Sequence, residues 1–134
     1  MFEVLVRQNR TRDFTGSVYD ASGTGVVLQA GNRLRFKMAD GSSTPVIDIK
    51  SGTPTANGSS ITVVSNGSVV GDVITPASYK IRIAQGDVVS LTPGVYDAEV
   101  SLVDDEETAP PDACKSIDVG IVYVLKSIGG PVSI

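Results

Sequence analysis

The sequence predicts an all-β domain, an antiparallel β-sandwich of eight or nine short strands with no substantial helix. Three observations predict it. Apolar residues recur at every second position in one segment after another, the period of a half-buried strand. Clusters of Gly, Pro, Asn, Asp and Ser separate these segments at short, regular intervals. Aromatic residues are only 5% of the chain and Trp is absent, so the core must be mostly Val, Ile and Leu, which suit a pleated surface. With 134 residues the chain is about one domain long, enough to bury a core without help from a metal or a disulfide. The sandwich expected is immunoglobulin-like, with a small closed barrel as the alternative.

Glu3 to Arg7 reads as a short first strand. Arg7, Arg10 and Arg12 then lead into a second strand in which Phe14, Gly16 and Val18 share a face, closed by a turn at Asp20 to Gly23. Arg33 to Met38 alternates strictly, with Leu34, Phe36 and Met38 inward and Arg33, Arg35 and Lys37 outward. That spacing of two excludes a helix. After a turn at Asp40 to Ser43, a further strand buries Ile47 and Ile49. A Gly/Ser/Thr/Pro-rich loop over 51–60 follows. Ile61 to Val64 and Ser68 to Ile74 flank Asn66-Gly67, a dipeptide that favours a two-residue hairpin turn, so these segments are expected to pair with each other. Tyr79 to Ile83 is another strand, and Gln85 to Ser90 suits a single helical turn.

Leu91 to Val103 is the stretch to which the other segments can be fitted. Pro93-Gly94 suits the centre of a type II turn. Beyond it Tyr96, Ala98, Val100 and Leu102 point one way and Asp97, Glu99 and Ser101 the other. In the last strand, Ile117 to Lys126, the residues Ile117, Val119, Ile121, Tyr123 and Leu125 share a face. Val122 and Val124 make the other face apolar too, which implies burial on both sides, within the fold or against a neighbour. The domain is thus expected to span 1–126. Residues 127–134 form a tail in which Gly129-Gly130 frees Pro131, Val132 and Ile134 to dock on a neighbouring subunit or to fold back.

Composition removes several kinds of chemistry. With no histidine, neither a Ser-His-Asp nor a Cys-His nucleophile system can be built, and no imidazole can hold a metal. Cys114 is the only cysteine, so no internal disulfide forms. The opening Met1-Phe2-Glu3 lacks the positive charge of a signal peptide, and no run approaches the roughly 20 apolar residues of a membrane span. Net charge is −4, but residues 1–50 sum to +2 and residues 51–134 to −6, a division that could help copies meet head to tail. No basic stripe with interleaved aromatics points to nucleic acid. The acidic loop 104–112 holds five carboxylates but lacks the alternating ligands and Gly turn of a calcium loop. Asp97 and Glu99 lie two apart, roughly 7 Å, a separation that suits an inverting glycosidase, yet alternating acids ordinarily just solvate a strand. Tyr19 and Tyr79 are the candidates for a carbohydrate-binding platform. The expectation is a non-enzyme with no cofactor and no metal. Its candidate interface residues are Arg7, Arg10, Arg12, Val122, Val124, Pro131, Val132 and Ile134.

Taken in order, the features form a pattern across nearly the whole chain. Arg10-Thr11-Arg12-Asp13-Phe14 leads into a strand, Tyr19-Asp20-Ala21-Ser22-Gly23 into a turn, and Leu28 to Phe36 into the next strand. Leu91-Thr92-Pro93-Gly94-Val95-Tyr96 then opens the alternating acidic strand. In this the chain resembles the small immunoglobulin-like β-sandwich virion domains of tailed bacteriophages, such as the N-terminal domain of phage baseplate upper proteins. It departs from them at the entry, Arg-Thr-Arg-Asp in place of their Gly-Asp-Thr, and the receptor-binding role of larger relatives is not carried over. The resemblance implies a structural protein of the virion, as capsid decoration or as a neck, tail or baseplate component, made in the host bacterial cytoplasm. Its partners would be capsid or tail subunits and copies of itself, with neither nucleic acid nor membrane. A bacterial surface or carbohydrate-binding module is the alternative.

Overall fold

In a computed structural model, which describes residues 2–20, 22–42, 44–104 and 114–127, the chain is nearly all β. Its strands are β1 (Phe2–Arg7), β2 (Arg12–Ser17), β3 (Asn32–Ala39), β4 (Ile47–Lys50), β5 (Ser60–Ser65), β6 (Ser68–Val70), β7 (Val73–Thr75), β8 (Ser78–Ile83), β9 (Gly94–Asp104) and β10 (Cys114–Leu125). One helical turn, α1 (Gln85–Val88), lies where Gln85 to Ser90 predicts it. Five strands form a sheet in the order β1-β10-β9-β3-β4, three form a second in the order β2-β8-β5, and β6 pairs only with β7. Every pairing is antiparallel except β1 with β10, which run parallel with Phe2 opposite Gly120.

The alternation read from the sequence packs the two main sheets against each other. Leu34, Phe36 and Met38 of β3, Ile47 and Ile49 of β4, and Tyr96, Ala98 and Val100 of β9 turn inward. They meet Ile61 of β5 and Tyr79, Ile81 and Ile83 of β8 in one core. Three rings tie the layers together, Phe14 lying 5.6 Å from Phe2 and 6.1 Å from Phe36 between centroids. Such tilted and edge-on aromatic pairs contribute about 1 kcal/mol each beyond the area they bury.

Three sequence expectations change. First, β10 is buried within the domain on one face, that of Val122 and Val124, and not on both. Val122 and Val124 are fully buried in the core, whereas Val119, Ile121, Tyr123 and Leu125 face outward. Opposed residues of an antiparallel pair point to the same side. Tyr96 opposite Val122 and Ala98 opposite Gly120 therefore fix the phase of β10, while a bulge between Ser116 and Asp118 resets it from the strand's start. Gly120 is required there, because a Cβ would overlap the ring of Phe2. Val122 and Val124 thus belong to the domain's own core, not to an interface.

Second, Asn66-Gly67 does not close a hairpin. Ile61 to Ser65 pairs with β8 instead, and Ser68 to Thr75 folds on itself around Gly71-Asp72. Gly71 has φ +61°, which suits the first central position of a type II′ turn. This split accounts for a tenth strand. Third, Pro93-Gly94 is not a type II turn, since Gly94, at φ +156°, is already extended into β9. The bend is held instead by Tyr96, whose hydroxyl donates to the Thr92 carbonyl at 2.7 Å.

One polar node locks the small sheet to α1. Asp87 accepts hydrogen bonds from Thr55 Oγ1 (2.6 Å), Asn57 Nδ2 (2.9 Å) and the buried Ser59 hydroxyl. Ser59 Oγ in turn accepts from the Ala84 amide at 2.8 Å. Partial burial pushes the Asp87 carboxyl upward, but the Ser59, Thr55 and Asn57 donors outweigh it and hold the group below its ordinary value.

Candidate interaction surfaces

The β6–β7 hairpin stands apart from both main sheets, and every residue in its two strands is exposed. Its base is anchored by backbone bonds from Leu28 N to the Asn66 carbonyl (2.8 Å), Val18 N to the Ala77 carbonyl (2.8 Å) and Ala77 N to the Val26 carbonyl (2.9 Å). Gly67 makes the anchor possible: at φ +82° a Cβ would overlap the Thr75 carbonyl. Cross-strand pairs put Val69 with Ile74 on one face and Val70 with Val73 on the other. Ile74 lies beside Gly25, but Val70 and Val73 are 74% and 67% exposed. At the tip, Asp72 has no ion-pair partner among the described residues.

A second surface lies on the outer face of the five-stranded sheet. Leu5, Tyr123 and Val95 stand in one row across β1, β10 and β9, with Leu125 opposite Arg7 in the next row. Leu5 and Val95 are 59% and 58% exposed. The β1–β2 turn brings Arg7, Arg10 and Arg12 together with Leu5 and Leu125 around a concavity of about 340 Å³. Arg7 is fixed by a bond to the Lys126 carbonyl at 3.2 Å. Arg10 and Arg12 are exposed, with no carboxylate partner among the described residues.

The sequence signalled these three arginines but not the apolar row beside them, because Leu5 and Val95 read as ordinary members of alternating strands. The remaining basic residues of the first half are taken up by the sheet. Arg35 holds Asp48 in a two-point ion pair at 2.7 and 2.6 Å, and Arg33 donates to the Ser51 carbonyl at 3.0 Å. Hydrogen bonding to Arg35 keeps the Asp48 carboxyl below its usual value. Lys37 stands opposite Glu99. Pairing β3 with β9 therefore sets basic residues of the first half beside acidic residues of the second.

The other candidates separate. Tyr79 is buried and cannot serve as a carbohydrate platform; burial first, and then the nearby Asp118 charge, push its hydroxyl up to about 12. Tyr19 remains exposed. Asp97 and Glu99 both face outward beside a shallow concavity of about 510 Å³ that also meets Lys37, Ala39 and Val119. Asp13 is held by Arg82 at 2.9 and 3.1 Å, which lowers its carboxyl. Among the described residues no group of three or more Cys, Asp or Glu side chains is placed to hold a metal. Most of the acidic loop 104–112, and Pro131, Val132 and Ile134 of the tail, lie outside the described residues. Compared with known proteins, the sequence matches no protein-family model and no curated protein.

Proposed function

We propose that the chain is an immunoglobulin-like, non-enzymatic structural module of a tailed-phage virion, working through protein–protein contacts. The observation that carries the interaction reading is the β6–β7 hairpin. A lone two-stranded hairpin is marginally stable in water, and this one leaves four large apolar side chains exposed and outside the buried core cluster. A covering partner resolves that exposure.

The strand order supports the immunoglobulin-like part of the reading. In immunoglobulin lettering, β10-β9-β3-β4 corresponds to G-F-C-C′ and β2-β8-β5 to B-E-D. Tyr96 near the start of β9, bonded back to Thr92, is placed like the tyrosine corner of that fold. The virion part rests on the resemblance described for the sequence. Immunogold electron microscopy of particles from the source, with antibody to this protein, tests it. Regular label on heads supports decoration, and label at the neck or tail tip supports a connector or baseplate part. Protein confined to the soluble lysate overturns the virion reading.

A further inference from the structure

We propose that the partner of the β6–β7 hairpin is a second copy of this chain, and that the hairpin docks on the arginine-rimmed apolar row of Leu5, Tyr123, Val95 and Leu125. The inference rests on the interaction reading above and specifies its partner.

Complementarity comes first. The hairpin offers Val69, Val70, Val73 and Ile74 around a single carboxylate at Asp72. The sheet face offers an apolar row with the cations of Arg7, Arg10 and Arg12 at one end. Asp72 on one side and Arg10 and Arg12 on the other have no ionic partner among the described residues, and the contact brings these opposite charges together. Apolar side chains would make the centre of the contact and charges its rim, the usual anatomy of a protein interface.

Placement comes second. Strand β2 begins at Arg12, paired with Ile83, and ends at Ser17, paired with Ser78. The arginines therefore lie at one end of the β2–β8 pair. The hairpin is tied to the other end through Val18 and Ala77. Six residues of strand, roughly 17 Å, separate the two ends, so a hairpin and a patch of the same chain are held apart. Each copy carries one donor surface and one acceptor surface at separate places, and the donor of one copy meets the acceptor of the next. Such a contact is heterologous: it builds a ring if the rotation closes and a filament if it does not.

Sedimentation velocity of the purified full chain, over a concentration series reaching the millimolar range, tests this with two blocked variants. One carries Val70→Asp and Val73→Asp; the other carries Leu5→Glu, Arg10→Glu and Arg12→Glu. The substituted side chains are all exposed, and circular dichroism melts check that both variants remain folded. Wild type should form species larger than a dimer, with association weakening as salt rises. Each blocked variant alone should associate at least about a hundredfold more weakly, and an equimolar mixture should give a one-to-one dimer and nothing larger. Wild-type assembly that both variants retain would overturn the inference and leave the broader interaction reading standing on another surface. A wild type that stays monomeric at every concentration would also overturn it. If that monomer assembles only after removal of residues 128–134, the chain's own C-terminal segment occupies the patch instead.

Discussion

Replacing Asp87 with Asn removes a charge while nearly preserving shape, and it tests how the small sheet is fastened to α1. The carboxylate accepts three side-chain hydrogen bonds, two on Oδ2 and one on Oδ1, and one donor is the fully buried Ser59. Bonds to a charged acceptor contribute about 1.5–3 kcal/mol each when well enclosed, and partial exposure of Asp87 brings this nearer 1 kcal/mol. The amide keeps one good acceptor, so Asp87→Asn should cost about 2 kcal/mol at neutral pH. For a domain of this length that is a fall of about 5–8 °C in melting temperature. The dependence on pH carries the sharper test. The folded-state carboxyl lies below its unfolded value, so its stabilisation is complete above about pH 4 and is lost as pH falls through the folded value. Melts followed by circular dichroism should therefore show the wild type and variant well separated at neutral pH and converging in acid. Equal melting temperatures at neutral pH, or a gap that persists unchanged in acid, would refute the assignment.

Tyr79, with its hydroxyl raised to about 12 against 10 in the unfolded chain, should make the fold lose stability as pH rises between those values. Tyr79→Phe should flatten that alkaline decline in a melting series without abolishing it, because burial also raises Tyr96. Gly16→Ala should cost about 1–3 kcal/mol by denaturant titration, since its Cβ would overlap the Tyr79 hydroxyl; a variant as stable as wild type would show that the ring moves aside freely. Tyr96→Phe, which removes the 2.7 Å bond to Thr92, should cost about 1 kcal/mol in the same titration, and no loss would mean that the bend before β9 is held by packing alone.

The class of fold was legible because its determinants are local. In β3 the alternation of Leu34, Phe36 and Met38 with Arg33, Arg35 and Lys37 leaves one possible core face, and the structure buries that face. In β10 both sets are apolar, and only the partner strand decides between them: Val122 turns inward because Tyr96 lies opposite. No periodicity in β10 alone carries that information. The hairpin was missed for a related reason. Asn66-Gly67 and Gly71-Asp72 are both competent two-residue turns, and β8 settles the competition by taking Ile61 to Ser65 as its own partner. Of the candidate surfaces, the arginines were visible because charge stands out. The apolar row became visible only when register aligned Leu5, Tyr123 and Val95 across three strands that are distant in sequence.

The parallel pairing of β1 with β10 also dictates an order of events during synthesis. Strands β3 and β4, and β2 and β8, can find each other as the chain emerges, but Phe2 must wait for Gly120. Until the last strand leaves the ribosome, Val4 and Val6 have no sheet to join, and one edge of β9 stands open. Contacts so distant in sequence slow folding and prolong the exposure of unpaired edges. A ribosome stalled before β10 therefore holds a chain whose β1 has no sheet partner and whose β9 edge is open to wrong pairing.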